Sequence, residues 1–317
     1  MAASSDRAHT RGVALCLAAA VGFGLMAILA KEAFAAGVGL VTLLTVRFAL
    51  AASVFWGIVA LRRPAWPARR TVLAGLGLGA VGYAAQAGLF FGALTRIDAS
   101  LTSLLLYTYP ALVFMAALAL GRERADRRRT GALALASAGA ALVLLGGGAG
   151  ALAPAGVAMA LGAAAAYATY ILVADALLGR IDPFLLSALV ATGALASFAV
   201  FAAGTGDLAL GFSFRGWLFI GGLALVCTVF PITAFLVGLP KVGPATASIV
   251  STVEPVVTVS LAMALFGERL GAVQALGGIL VLAAVVVLQR RGKVRADGAS
   301  AELSAPPPAR ALAQHAS

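Results

Sequence analysis

The sequence predicts an all-α membrane protein of ten transmembrane helices in two inverted five-helix repeats, and three observations lead there. Of its 317 residues 62% are hydrophobic and only 11% charged, against roughly a quarter charged in ordinary soluble domains. The apolar residues gather into ten runs of about 18 residues or more, the length that crosses a hydrocarbon core. The first half of the chain is also echoed in the second, at an offset of 144 to 145 residues.

The runs fall in order at 12–30, 40–61, 71–93, 97–120, 130–147, 153–174, 183–203, 215–236, 243–266 and 270–288. Span one follows Arg7 and Arg11, and its long apolar run with nine more behind it reads as a helix rather than a cleaved leader. Span two carries Arg47, and span three carries Tyr83, Gln86 and Phe90 on one face, with Gly75, Gly77, Gly79 and Gly82 allowing close helix approach. Span four places Ser100, Ser103 and Tyr107 on one face and ends past Pro110, before the basic cluster Arg122, Arg124, Arg127, Arg128 and Arg129 that precedes span five. Span six holds Tyr167 and Tyr170, span eight Thr228 and Pro231, and span nine Glu254-Pro255. Residues 291–317, rich in Ala, Pro and polar side chains and without an apolar period, read as a disordered cytoplasmic tail.

Assigning the loops to alternate sides puts eighteen Lys and Arg on one side and only Lys31, Arg96, Arg215 and Arg269 on the other. The positive-inside rule then places both termini on the cytoplasmic side and requires an even number of spans, which ten satisfies. The net charge of +11 is a matter of orientation, since no basic stretch is interleaved with stacking aromatics, and nucleic acid is excluded as a partner. Cys16 and Cys227, both inside spans, offer neither a disulfide framework nor a metal cluster.

In the repeat, Arg96 lies over Lys241, Ser103 over Ser248, Pro110 over Pro255 and Glu123-Arg124 over Glu268-Arg269, while Gly12-Val13-Ala14 lies over Gly156-Val157-Ala158. Each copy holds five spans, 12–147 and 153–290. An odd number per copy inverts the second relative to the first about an axis in the membrane plane, a hallmark of secondary transporters.

The runs Glu254-Pro255-Val256-Val257, Ala264-Leu265-Phe266-Gly267-Glu268-Arg269-Leu270 and Leu276-Gly277-Gly278-Ile279-Leu280 resemble the second EamA-type repeat of the drug/metabolite transporter superfamily. Tyr109-Pro110-Ala111, Leu120-Gly121-Arg122-Glu123-Arg124 and Thr130-Gly131-Ala132-Leu133 echo the first, with Gly-Arg-Glu-Arg where the second copy reads Gly-Glu-Arg. The resemblance covers about residues 12–290 and implies an inner-membrane carrier that exports amino acids or other small metabolites. Multidrug and nucleotide-sugar carriers share the fold, and the second of these calls for more basic cavity groups than one arginine.

Ionisable groups deep in a span are expensive and mark function by default. Glu254 lies ~16 Å into span nine and Arg47 ~10 Å into span two at ~1.5 Å per residue. Neither charge recurs in the other copy: Glu254 lies over Tyr109, and Arg47 over Ala191 or Thr192. For Glu254 the readings are proton coupling or a structural carboxylate tied to Arg47 or to helix ends loosened by Pro255. For Arg47 they are a counter-ion to a substrate carboxylate or a structural ion pair.

All five tyrosines, Tyr83, Tyr107, Tyr109, Tyr167 and Tyr170, sit inside spans, where their hydroxyls need partners. With Gln86 and Thr228 they are expected to line a substrate cavity, although helix packing also accounts for any single one. Pro110, Pro231 and Pro255 are expected to kink their helices. Trp66 and Trp217 read as interface anchors, and Trp56 likewise.

No Gly-x-x-x-x-Gly-Lys loop is present, so the driving force is a gradient and no cofactor is expected. His9 and His315 lie in the tails, away from any intramembrane nucleophile or metal site, which counts against a lipid-modifying enzyme.

Overall fold

A computed structural model describes residues 2–119, 127–146 and 153–289; the Glu123-Arg124 turn and the tail at 291–317 lie outside the described residues. Every element among the described residues is helical. In chain order these are α1 (Ala2–Gly24), α2 (Met26–Ala35), α3 (Leu40–Arg62), α4 (Arg69–Gly77), α5 (Ala84–Leu94), α6 (Ala99–Leu106), α7 (Tyr109–Ala119) and α8 (Arg127–Leu145). They continue as α9 (Pro154–Leu178), α10 (Pro183–Thr205), α11 (Phe214–Ala224), α12 (Phe230–Ser251), α13 (Val253–Phe266) and α14 (Ala272–Gln289). Two π-helical segments, Leu78–Tyr83 and Leu225–Val229, join α4 to α5 and α11 to α12.

Seven stretches are long and apolar enough to cross a membrane: Arg7–Ala35, Leu40–Arg62, Arg69–Leu94, Ala99–Ala119, Pro154–Leu178, Pro183–Thr205 and Phe214–Val242. Thr130–Leu145, Val253–Phe266 and Ala272–Val287 are shorter apolar helices. The chain is a multi-pass membrane protein. Its outer surface carries exposed Leu61, Val81, Val200, Phe214 and Ile279, an arrangement stable only against lipid.

Local signals set several helix ends. Asp182 caps α10, its Oδ1 accepting from the Phe184 and Leu185 N–H groups, and Pro183 opens the helix where no N–H is needed. Gly206 and Gly267 end α10 and α13 in the left-handed conformation, at φ 74° and 65°.

The chain reverses within α12. Gly22 lies against Pro231, Gly12 against Val242, and Gly24 against Glu254 and Val257, so the backbone descends along α1 and climbs back.

The tightest packing is backbone on backbone. A Cβ on Gly79 would strike the Val190 carbonyl, and one on Gly193 would strike the Leu76 carbonyl, which seats the π segment after α4 directly on α10. Gly139 of α8 and Gly277 of α14 meet in the same way, each 2.6 to 2.7 Å from the other's carbonyl if given a Cβ. Small residues of this kind allow helices to associate in lipid, where no hydrophobic force drives them together. Gly193→Leu is expected to cost more than the ~1–3 kcal/mol of ordinary overpacking, because the obstacle is backbone. The predicted result is loss of the monodisperse peak in size-exclusion chromatography, with Gly57→Leu, which meets nothing within 4 Å, unaffected.

Candidate functional site

The helices enclose a cavity of about 440 Å³. Its lining includes Arg47 from α3, Tyr83 at the end of the first π segment, Gln86 and Phe90 from α5, and Ser103 and Tyr107 at the end of α6. Tyr109 from α7, Tyr167 and Tyr170 from α9, and Glu254 and Thr258 from α13 also line it. The cavity extends to Asp175, Leu178, Pro183 and Ser187, at the turn between α9 and α10, and to Leu236 of α12. At its opposite end it stops at Ala27, Phe90 and Phe91, short of Lys31, Ala99 and Glu268.

Arg47 is 1% exposed. Its Nε donates to Thr228 Oγ1 at 2.9 Å, Nη2 lies 3.5 Å from Met26 Sδ, and the guanidinium sits 5.2 Å from the Phe48 ring centre and 4.9 Å from that of Phe91. Thr228 itself donates to the Leu223 carbonyl, five residues back, at 2.7 Å. One hydroxyl thus both ties to the backbone beside the π segment and orients the arginine. Tyr83, at the end of the other π segment, is the hydroxyl neighbour of the same guanidinium. Tyr83 and Thr228 stand 145 residues apart, at matching positions of the two copies.

Glu254 does not lie in the middle of a continuous span, as the sequence suggests. It occupies the first turn of α13, which starts afresh after the break at Thr252, deep in the bundle. The cause is Pro255, which has no N–H for the Ser251 carbonyl four residues before it. Tyr107 Oη takes that place, donating to the Ser251 carbonyl at 2.9 Å. The matching proline, Pro110, likewise interrupts span four between α6 and α7, so Tyr109 opens α7 in the first copy much as Glu254 opens α13 in the second. Pro231 lies in the first turn of α12, just past the π segment.

The tyrosines form a connected arc. Ring centres are 5.2 Å apart from Tyr83 to Tyr170, 6.0 Å to Tyr167, 4.7 Å to Tyr109 and 5.8 Å to Tyr107. One end of the arc reaches Arg47 through Tyr83 and the other reaches Glu254 beside Tyr107. No ion pair joins Arg47 to Glu254 among the described residues. The cavity thus presents a cation and an anion at separate places, with an aromatic wall between them. A wall of this kind accepts apolar bodies and, through its ring faces, ammonium groups.

The structure separates some groups that the sequence links. Ser103 lines the cavity, whereas Ser100, three residues earlier, turns its hydroxyl to Glu268 at 2.7 Å. Thr228 lies behind Arg47 rather than on the wall. Trp56 is less an anchor than a tie, its Nε1 donating to Thr192 Oγ1 of α10 at 2.9 Å, with Trp66 stacked on it. Sequence reasoning missed Met26, Phe91 and the contacts of Lys31 with Glu268. The last of these had a visible signal, two opposite charges at the ends of apolar spans.

A multi-pass helical membrane protein with an internal cavity, largely apolar but carrying a few polar and charged groups, is the class these features define. Comparison with known proteins names the group within it: the sequence matches the EamA-like transporter family twice, over residues 10–145 and 154–290, and the chain belongs to that family. No curated protein matches it. One solved structure, described only as the crystal structure of a protein, is 18% identical and superposes with a TM-score of 0.62 over 93% of this chain and 99% of its own, a likeness of fold.

Proposed function

We propose that the chain is a secondary transporter of the inner membrane that moves amino acids, or closely similar small amphipathic metabolites, outward by alternating access. The observation that carries this reading is the cavity, with Arg47 and Glu254 unpaired to one another and a tyrosine arc between them. Arg47 supplies a bidentate fork for a carboxylate, Glu254 faces the ammonium or carries the coupled proton, and the tyrosines hold the body of the solute.

Ten spans in two inverted repeats are supported by which helices touch. Helices that correspond between the copies lie against each other, α3 on α10 and α8 on α14, and the pairing of α1 with α12 has its counterpart in that of α5 with α9. Such pairings are what a two-fold axis in the membrane plane generates. With both termini cytoplasmic by the charge distribution, the cavity opens inward through the turn between α9 and α10. A nucleotide-sugar cargo is disfavoured because Arg47 is the only cation among the described lining residues.

The test is counterflow in proteoliposomes with a panel of labelled amino acids and their decarboxylated amines. Saturable uptake accelerated by unlabelled solute on the far side is expected for amino acids. Non-saturating flux indifferent to preloading would replace the carrier by a pore.

A further inference from the structure

At the closed end of the cavity stands a polar cluster that the binding site does not use. Glu268 is 8% exposed and its carboxylate gathers four donors. Oε1 accepts from Lys31 Nζ at 3.0 Å and from the Ala99 N–H at 2.9 Å, and Oε2 accepts from the Ser100 N–H at 3.0 Å and its hydroxyl at 2.7 Å. The carboxylate therefore caps the first turn of α6 from a different part of the chain, while Lys31 binds it from the last turns of α2. Gly267 aims it there: its φ of 65° turns the chain off the end of α13, and the next side chain swings across onto α6.

Burial alone would push the Glu268 carboxyl up; the bonds from Ser100, Ala99 and Lys31 outweigh it and hold the group below the usual carboxylate range. Beneath the cluster an apolar plug that includes Ile28, Leu94 and Ala262 separates it from the cavity.

The other ion pairs at this end are of a different kind: Lys31 Nζ also lies 3.9 Å from Asp98 Oδ1, whose side chain is 65% exposed. Arg215 and Glu32 meet at 3.3 Å with the arginine side chain 73% exposed, a geometry that contributes little. The Glu268 side chain is 5% exposed, so its bonds are the ones that separation would break.

We propose that Glu268 is the latch of the outer gate, holding α2, α6 and the turn after α13 together so that outward opening consists in breaking its bonds to Lys31 and to the start of α6. This rests on the alternating-access reading above. At the opposite mouth the lysine of this device has no basic counterpart among the described residues. At the 144-residue offset that sets Gly12 over Gly156, the counterpart of Lys31 is Asp175, an acid. Asp175 lies exposed at the open mouth and forms no ion pair with another described residue. One end can be latched by opposite charges and the other presents a carboxylate where the lysine would be, which accounts for a resting form open on the Asp175 side.

The experiment reads the gate directly. A Ser103→Cys reporter on the cavity wall is placed in the full chain and challenged with a membrane-impermeant thiol reagent in right-side-out and inside-out vesicles. Cys16 and Cys227 are fully buried, and the chain without the reporter measures their background. The reporter is expected to react from the inner face and only slowly from the outer. Glu268→Gln and Lys31→Met should each raise the outer-face rate on the order of tenfold, the effect of losing a charge-assisted hydrogen bond on a two-state equilibrium. Lys31→Met leaves the α6 cap in place, so it carries the test alone if Glu268→Gln fails to fold. Unchanged outer-face labelling in a folded Lys31→Met chain overturns the latch, as does free outer-face labelling of the parent. Labelling does not depend on transport, so failure of the counterflow assay with a latch-dependent reporter would refute the carrier and leave the gate.

Discussion

Replacing Arg47 by alanine is expected to remove the preference of the transporter for amino acids over the corresponding amines. The parent should take up the amino acid with an apparent affinity about 10- to 100-fold better than the amine, the range set by about 1.5–3 kcal/mol for a hydrogen-bonded charged group. Arg47→Ala should bring the two together by weakening the amino acid alone. Thr228 keeps its own acceptor, the Leu223 carbonyl at 2.7 Å, but the Phe48 and Phe91 rings lose a neighbour, so the size-exclusion profile of the variant is measured beside its affinity. Arg47→Lys is expected to fall between them, since an ammonium retains charge without the planar fork. An Arg47→Ala chain that still separates amino acid from amine as the parent does would remove the arginine from the binding site and return it to a packing role against Phe48 and Phe91.

Arg47 also shows how much could be read before any coordinates. Its depth is legible because a charge inside an apolar run is visible in one dimension, and the same holds for the seven stretches long and apolar enough to cross a membrane. The arginine's partners were not legible. Thr228 lies 181 residues away and meets it through a π segment, which widens the helix by one residue and has no local sequence signal. The tyrosines were recognised singly, each as a hydroxyl needing a partner, but their arc joins four separate helical segments and follows from tertiary packing alone. Pro255 announced a kink, whereas the consequence that matters, a helix restarting at Val253 with Glu254 in its first turn, required knowing that Tyr107 would take over the Ser251 carbonyl. Glu268 was noticed only as part of a repeated turn, since capping across 168 residues leaves no trace in local pattern.

Glu254→Gln is expected to abolish the response to an imposed proton gradient while leaving solute exchange in place. Glu254 stands beside Tyr107, whose hydroxyl donates to the Ser251 carbonyl orphaned by Pro255. The Glu254 carboxyl shares that hydroxyl with the Ser251 carbonyl, and on the cavity wall its remaining needs are met by a proton of its own or by a cationic solute. A group satisfied in turn by either is suited to exchange one for the other. With one proton exchanged per solute, a gradient of one pH unit, worth about 1.4 kcal/mol, supports a roughly tenfold solute gradient. The parent should approach that ratio and Glu254→Gln should show none, yet exchange of labelled for unlabelled solute should continue, because the amide fills the same space at the start of α13. A variant that loses exchange together with its thermal stability would mark Glu254 as structural, and one that keeps the full gradient response would move the coupling elsewhere. The measurement therefore separates the two readings of this carboxylate that its depth in the span leaves open.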